Sequence, residues 1–249
     1  MIETVDIVNA FDSISLDRLG KANLMNRNDT KFFFHREKLP LVLKELKEDY
    51  YILEIENHRL MRYYNHYFDT MDNKMLNWHI NGKLNRYKVR KRKYLVTGET
   101  YLEIKKKNNK GITRKVRIPT SNDMEEEENF VSNHTPFDFK ELQKTIEIRF
   151  DRFMFIRKDR LYRISIDFNV EFSQGGRSVK MENLVLFEIK SPGRLGYFPL
   201  KSSLKAIQIF PNGFSKYVIG MSYMQRDLKM NRFKLRKNKI NRIIQNELL

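Results

Sequence analysis

Arg86-Tyr87-Lys88-Val89-Arg90-Lys91-Arg92-Lys93-Tyr94 threads cations through residues that favour strands. Two similar runs follow, Tyr101-Leu102-Glu103-Ile104-Lys105-Lys106-Lys107 and Arg114-Lys115-Val116-Arg117-Ile118. A disordered basic tail would lack the tyrosines, valines and isoleucines that sit between these charges. A strand sends alternate side chains to opposite faces. Lys88, Arg90 and Arg92 therefore share one face, and Glu103, Lys105 and Lys107 share one face of the next strand. Turn signals at Thr97-Gly98 and Asn108-Asn109-Lys110-Gly111 separate the runs. The stretch from Lys83 to Arg117 reads as a basic sheet face suited to a polyanion.

The rest of the composition agrees. The chain has 249 residues and a net charge of +17, with 41% hydrophobic and 12% aromatic residues, enough for a substantial core. Such a field favours phosphate-rich partners. Cysteine is absent, which excludes disulfides, zinc–thiolate sites and cysteine nucleophiles. The acidic start, Met1 to Ala10, is unlike a secretory signal. No apolar run approaches the ~18 residues that span a bilayer, so the expectation is a cytoplasmic protein with no integral membrane segment.

Along the chain, Ser15–Asn26 is expected as a short helix and Asp29–His35 as the first strand. Glu37–Lys47 has Leu39, Leu43 and Leu46 at helical spacing. Tyr50–Glu56 and Arg59–Thr70 read as strands, and Asp72–Asn81 as a helix closed by Gly82. After the basic strands, Ser121-Asn122 opens an acidic helix that reads as a solvated face, and Phe137–Ile146 suggests another helix. Within Leu161–Phe172 the alternation is clean: Tyr162, Ile164, Ile166, Phe168, Val170 and Phe172 are apolar and the odd-numbered residues from Arg163 to Glu171 polar, a half-buried strand. Glu147–Ile156 precedes it as a partner, and Asn183–Lys190 follows, stopped by Ser191-Pro192-Gly193. Helices are expected at Pro199–Ile209 and Ser215–Met224. The fold class is α+β, an eight-stranded antiparallel β-barrel with flanking helices. Residues 1–224 form the domain, and 225–249 are a basic C-terminal helix or tail.

No glycine-rich phosphate loop, nucleophile elbow or kinase signature is present, and the five histidines show no metal-site spacing. What remains is cations inside strands, among them Arg90, Arg92, Lys105, Arg152 and Arg163, with Glu188 and Lys190 sharing a face of another. Each alone is an ordinary solvated strand face. Together they place like charges side by side, which destabilises a sheet unless an anion neutralises them. Many cations with few carboxylates suit phosphoryl transfer with a divalent metal bridging phosphate oxygens. Non-catalytic binding of polyphosphate or nucleic acid would use the same inventory.

Five motifs occur in order: Met25-Asn26-Arg27-Asn28-Asp29-Thr30-Lys31-Phe32, Tyr67-Phe68-Asp69-Thr70, Leu84 to Tyr94, Phe187-Glu188-Ile189-Lys190 and Phe214-Ser215-Lys216-Tyr217. From about Phe11 to Met224 the chain resembles the VTC domain, the polyphosphate polymerase module of the vacuolar transporter chaperone complex, and especially its stand-alone bacterial relatives in the triphosphate tunnel metalloenzyme superfamily. The resemblance implies a basic tunnel in which the terminal phosphate of ATP is added to polyphosphate with Mn²⁺ or Mg²⁺; a tripolyphosphatase or nucleoside triphosphatase would use the same tunnel. By motif, Lys31, Arg90, Arg92 and Lys105 hold phosphates, as do Arg152, Arg163 and Lys216, and Glu188 is the metal ligand. Arg27, Lys88, Glu103, Asp167 and Lys190 are further lining residues. ATP and polyphosphate are the implied partners, and nucleic acid is not. Lys91 and Lys93 would then face solvent. The Glu-x-Glu-x-Lys signature of the CYTH branch is missing, since Asp29-Thr30-Lys31 stands in its place. That argues against a thiamine triphosphatase or an adenylate cyclase.

Overall fold

The three basic runs form consecutive strands, and the sheet that holds them extends through most of the chain. The structure, a computed structural model, describes residues 2–19, 27–120, 124–192, 198, 200–225 and 227–245. Helix α1 (Ile2–Asn9), strand β1 (Ser13–Ile14) and β2 (Arg27–His35) come first, then α2 (Leu39–Leu46), β3 (Tyr50–Leu53), β4 (Met61–Thr70) and α3 (Lys74–Ile80). The basic strands are β5 (Arg86–Tyr94), β6 (Thr100–Lys107) and β7 (Thr113–Pro119). Helix α4 (Met124–His134) leads to β8 (Leu142–Arg157), β9 (Arg163–Gln174), β10 (Arg177–Met181) and β11 (Leu184–Pro192). Helices α5 (Lys201–Ala206), α6 (Lys216–Met224) and α7 (Lys234–Ile244) complete the chain.

Among the described residues the sheet has eleven strands and is open, in contrast to the expected eight-stranded barrel. Its main path runs β2-β11-β9-β8-β4-β5-β6-β7, with β1, β3 and β10 pairing off that path. Each end of the path has a reason not to join the other. The outer edge of β2 is already occupied, since Phe32 bridges to Pro211 and the Asn212 amide donates to the Lys31 carbonyl at 2.7 Å. The outer strand β7 is largely exposed and carries Arg114, Lys115 and Arg117, charges that discourage further pairing.

Both faces of the sheet are covered. One cluster packs Phe32 and Phe34 of β2, Ile164 and Ile166 of β9 and Phe187 of β11 against Val42, Leu43 and Leu46 of α2. A second packs Phe33, Ile148, Phe172 and Leu186 against Tyr217 and Val218 of α6 and Ile240 of α7. The unbroken alternation in β9 thus serves two cores. Ile164, Ile166 and Phe168 join the first cluster, whereas Val170 and Phe172 join the second. A register shift opposite Arg149–Asp151 and a positive φ of 50° at Asn169 insert the extra residue that reverses the faces.

Several expected elements change. Phe137–Ile146 is a short 3-10 turn at Phe139–Glu141, capped by Asp138, followed by the start of β8. Pairing of Leu142–Ile146 with β4 overrides the local helical spacing. In Ser15–Asn26 only a 3-10 turn, Asp17–Leu19, is present up to residue 19, and 20–26 lie outside the described residues, as do Ser121, Asn122 and Gly193. Helix α4 is not wholly a solvated face: Glu127 is buried and lies 2.6 Å from Lys91 Nζ, so Lys91 is paired beneath the helix while Lys93 is exposed. The C-terminal segment packs as a helix, with Phe233, Ile240 and Ile243 in the core and Lys237 donating to the Ser222 carbonyl at 2.7 Å.

Helix α6 crosses the sheet at Gly220, where an added Cβ would lie 2.5 Å from the Phe172 ring and 2.7 Å from Ile146 Cδ1. We expect Gly220→Val to destabilise the fold by about 2–3 kcal/mol through overpacking. A lowered denaturation midpoint with unchanged m-value is the readout.

Candidate active site

Alternate residues of β5 set the site. Lys88 stands opposite Lys105 of β6, which stands opposite Lys115 of β7. Arg90 lies between Glu103 and Tyr67, and Arg92 is opposite Asn65 of β4. From the other half of the sheet, Lys31 pairs with Glu188, Glu188 with Ser165, and Arg152 with Asp167. Helix α6 adds Lys216 at its first turn. These residues bound a cavity of about 250 Å³ lined by nine lysines and arginines and three carboxylates.

All but two of the expected site residues line it. Arg163 shares the strand face but stands at the start of β9 against Lys190 and Ile156, and is not among the lining residues. Arg27 is opposite Pro192 at the beginning of β2, and its side chain lies outside the described residues. Lys115, Tyr67, Ser165 and Ser215 also line the cavity. Lys115 was legible from period two within Arg114-Lys115-Val116-Arg117. The hydroxyl residues carry no charge pattern to single them out.

The three carboxylates are each held by cations. Glu103, wholly buried, accepts from Arg90 Nε at 2.8 Å and Nη2 at 2.6 Å, pairs with Lys115 Nζ and lies 4.0 Å from Arg92 Nε. Burial alone would push its carboxyl up, but Arg90, Arg92 and Lys115 outweigh burial and hold it well below the usual range. Asp167 accepts two bonds from Arg152, at 2.5 and 2.8 Å, and one from Lys216. Against the opposing effect of burial, these partners lower it to about 2. Glu188 pairs with Lys190, and there too Lys190 and Lys31 overcome burial and keep the group well below its ordinary value.

The cations outnumber these partners. Lys88 donates to Ser215 Oγ at 2.9 Å, and Lys31 to the Phe214 carbonyl at 3.4 Å. Burial, then Lys31 and Arg90, push the Lys88 amine well below its ordinary range, and burial followed by Arg90 does the same to Lys105. Lys115 and Lys216 fall to about 8, chiefly through burial and in spite of Glu103 and Asp167 respectively. Arg92 donates to Asn65 Oδ1 at 2.8 Å, and Asn65 is fixed in turn by the Ile148 carbonyl at 3.0 Å. Arg152 stacks over Tyr63 at 5.1 Å and Lys216 over Phe150 at 4.3 Å, contacts that hold cations without neutralising them.

The motif Tyr67-Phe68-Asp69-Thr70 supports the site from behind. Buried Asp69 accepts from the Met75 and Leu76 amides at 2.8 Å, at the start of α3, and from Tyr217 Oη at 2.7 Å. Tyr217 stacks on Tyr67 at 4.9 Å, and Tyr67 Oη accepts from Arg90 Nη1 at 2.8 Å. The side chain next to Tyr217 is Lys216, so one chain of contacts sets both Arg90 and Lys216.

The cavity on this sheet face thus holds more buried cations than carboxylates. Residues 26–225 match the VTC domain, and the chain belongs to that family. Among solved structures, the Hippeastrum protein HpAC1, described as having a dominant triphosphatase activity, is similar with a TM-score of 0.52 at 14% identity, over 78% of this chain and 95% of that one. PH1819 of Pyrococcus horikoshii OT3 is similar with a TM-score of 0.45 at 9% identity, over 80% of this chain and all of that one (100%). No curated protein sequence matches significantly.

Among the described residues no group of three or more His, Cys, Asp or Glu side chains could hold a metal ion. Glu103 and Asp167 each face two cation partners or more. Glu188 fits a divalent ion that brings phosphate oxygens with it, as Mg²⁺ sites on nucleotides commonly do. The donor set does not fit a metal held by protein alone.

Glu103→Gln should destabilise the free protein by about 3 kcal/mol, because Arg90 and Lys115 lose their buried counter-charge. Added tripolyphosphate should restore much of the loss in thermal melts. The pH dependence follows from Lys115 and Lys216, which carry charge below about pH 8 and lose it above. Tripolyphosphate affinity should therefore fall as pH rises through about 8, earlier than an ordinary lysine at ~10.4 would allow. Binding near pH 8 should take up protons, measurable by calorimetry in buffers of different ionisation enthalpy.

Proposed function

We propose that the protein is a metal-dependent polyphosphate polymerase that transfers the terminal phosphate of ATP to the end of a polyphosphate chain in the cavity. Membership of the VTC family supports this reading. The observation that carries it is the state of the three cavity carboxylates, all held by cations and all with depressed pKa. A carboxylate so stabilised is a weak general base. Attack by water benefits from a base, whereas the terminal oxygen of a phosphate chain is already ionised and needs none.

In the transfer, a terminal oxygen of the acceptor chain forms a bond to the terminal phosphorus of ATP. The bond from that phosphorus to the bridging oxygen breaks, and ADP leaves with the electron pair. Arg90, Arg92, Lys105, Arg152 and Lys216 bind the equatorial and bridging oxygens and stabilise the spreading charge. Lys31 and Lys88 align the two anionic reactants against their mutual repulsion. A Mn²⁺ or Mg²⁺ ion bound with the nucleotide would be held by Glu188 and would polarise phosphate oxygens. HpAC1, with its triphosphatase activity, favours a second reading, hydrolysis of tripolyphosphate or a nucleoside triphosphate in the same cavity.

Incubation with ATP and Mn²⁺ should yield ADP and long-chain polyphosphate on gels, and release of inorganic phosphate alone would support the hydrolase. Lys105→Ala is expected to lower turnover by two orders of magnitude or more, on the scale of ~10²–10³ for one lost transition-state donor. Glu188→Gln should abolish metal-dependent turnover while tripolyphosphate binding is retained. A protein that binds polyanions without turning them over would show no product with either metal.

A further inference from the structure

The row of cations on the cavity face continues past the cavity. Along β5 and β6 the facing pairs on that side are Arg90 with Glu103, Lys88 with Lys105 and Arg86 with Lys107. The last pair stands two residues beyond Lys88, about 7 Å further along the strands, and is not among the lining residues. Both side chains are half-buried, and among the described residues neither has a carboxylate partner. Like charges directly opposite one another destabilise a sheet. Burial, then Arg86 and Lys31, lower the Lys107 amine.

Helix α7 lies at this same end. Phe233, just before it, meets the His79 ring edge-on at 6.0 Å. Burial, then Lys88, Arg86, Lys31 and Lys107, push that imidazole down to about 2, so the ring stays neutral among these cations. Arg232 packs on Gly82 and donates to the Asn81 carbonyl at 2.8 Å, close to the start of β5. Arg236 lies against Gly213, where an added Cβ would be 3.3 Å from Nη2. The next two residues, Phe214 and Ser215, hold Lys31 and Lys88. From Leu228 to Gln245 the chain has seven lysines and arginines and no Asp or Glu. Arg232, Arg236 and Lys239 recur at i, i+4 and i+7, the spacing of one helix side. None of the three has a carboxylate partner among the described residues.

A cationic stripe that adjoins a cationic cavity offers one continuous path to a linear polyanion. Leu235 is the one large apolar side chain exposed on α7, too few for insertion in a bilayer. The helix carries no aromatic residue, so nucleic-acid bases would have no ring to stack on. We propose that polyphosphate longer than the cavity leaves it past Arg86 and Lys107 and lies along α7, held by Arg232, Arg236 and Lys239. The eleven residues of α7 span about 16 Å, and they lie beyond residues 26–225, which match the family. This track rests on the reading of the cavity as a phosphate-chain site. It adds a preference for long chains, because a second region of contact on one molecule raises avidity with no new contact in the cavity.

Calorimetric titration of the full chain with tripolyphosphate and with long-chain polyphosphate tests the track. The long chain should bind at least tenfold more tightly, and saturating tripolyphosphate should weaken it by competing for the cavity. R236Q/K239Q should lower long-chain affinity about fivefold or more, with tripolyphosphate affinity unchanged. Lys234→Glu, exposed but off the stripe, should change long-chain affinity by less than about twofold. Lys107→Gln should also weaken the long chain while melting at the same temperature or higher, since it removes a facing like charge. A merely structural Lys107 would lower the melt and leave affinity alone. Equal affinity for the two ligands, long-chain binding indifferent to tripolyphosphate, or an equal loss in Lys234→Glu would each overturn the track. Tighter binding of single-stranded DNA than of long-chain polyphosphate would overturn it in favour of nucleic acid. Absence of tripolyphosphate binding to wild-type protein would overturn the cavity reading and the track with it, whereas tripolyphosphate binding with no gain for the long chain overturns the track alone.

Discussion

The Glu103 carboxylate is the contact on which the basic half of the sheet depends. Strands β5, β6 and β7 bring Lys88, Arg90, Arg92, Lys105 and Lys115 to one face, and Coulomb repulsion among them grows as water is excluded. A single buried carboxylate, shared by Arg90 and Lys115 with Arg92 4.0 Å away, relieves part of that repulsion. On the other side of the cavity Asp167 does the same for Arg152 and Lys216. The protein thus folds around a deliberate shortage of anions. Its three carboxylates offset only some of its nine cavity cations, and the remainder leaves the cavity with net positive charge.

Positioning of these cations comes from neutral groups. Asn65 holds Arg92, Ser215 holds Lys88, the Phe214 carbonyl holds Lys31, and the Tyr67–Tyr217–Asp69 chain holds Arg90 and Lys216 in relation to one another. A neutral acceptor orients a donor without reducing its charge, which leaves electrostatic attraction for the ligand. The same logic explains the aromatic rings beneath Arg152 and Lys216.

Much of the site was legible in strand periodicity and motif order. Lys31, Arg90, Lys105, Arg152, Glu188 and Lys216 converge on one cavity although they come from five strands and a helix. Period two separated Arg90 and Arg92 from Lys93, because the alternation of a strand is a local property of the backbone. It misjudged Lys91, since the helix that covers it is 33 residues further along the chain at its nearest, between Lys91 and Met124. Arg163, assigned to the site by motif, shares a face with Ser165 and Asp167 that continues past the cavity, and it is not among the lining residues.

Sequence alone determined the basic strands, the α+β class and most of the cations that line the cavity. These follow from local alternation and from charge count. Tertiary structure decided that the sheet stays open with eleven strands, because the 211–212 segment occupies the β2 edge. It decided that β9 serves two cores, because one residue at positive φ reverses the faces. It also decided which carboxylates are spent on which cations, because ion pairs between strands are set by register, and register is fixed by packing across the whole sheet.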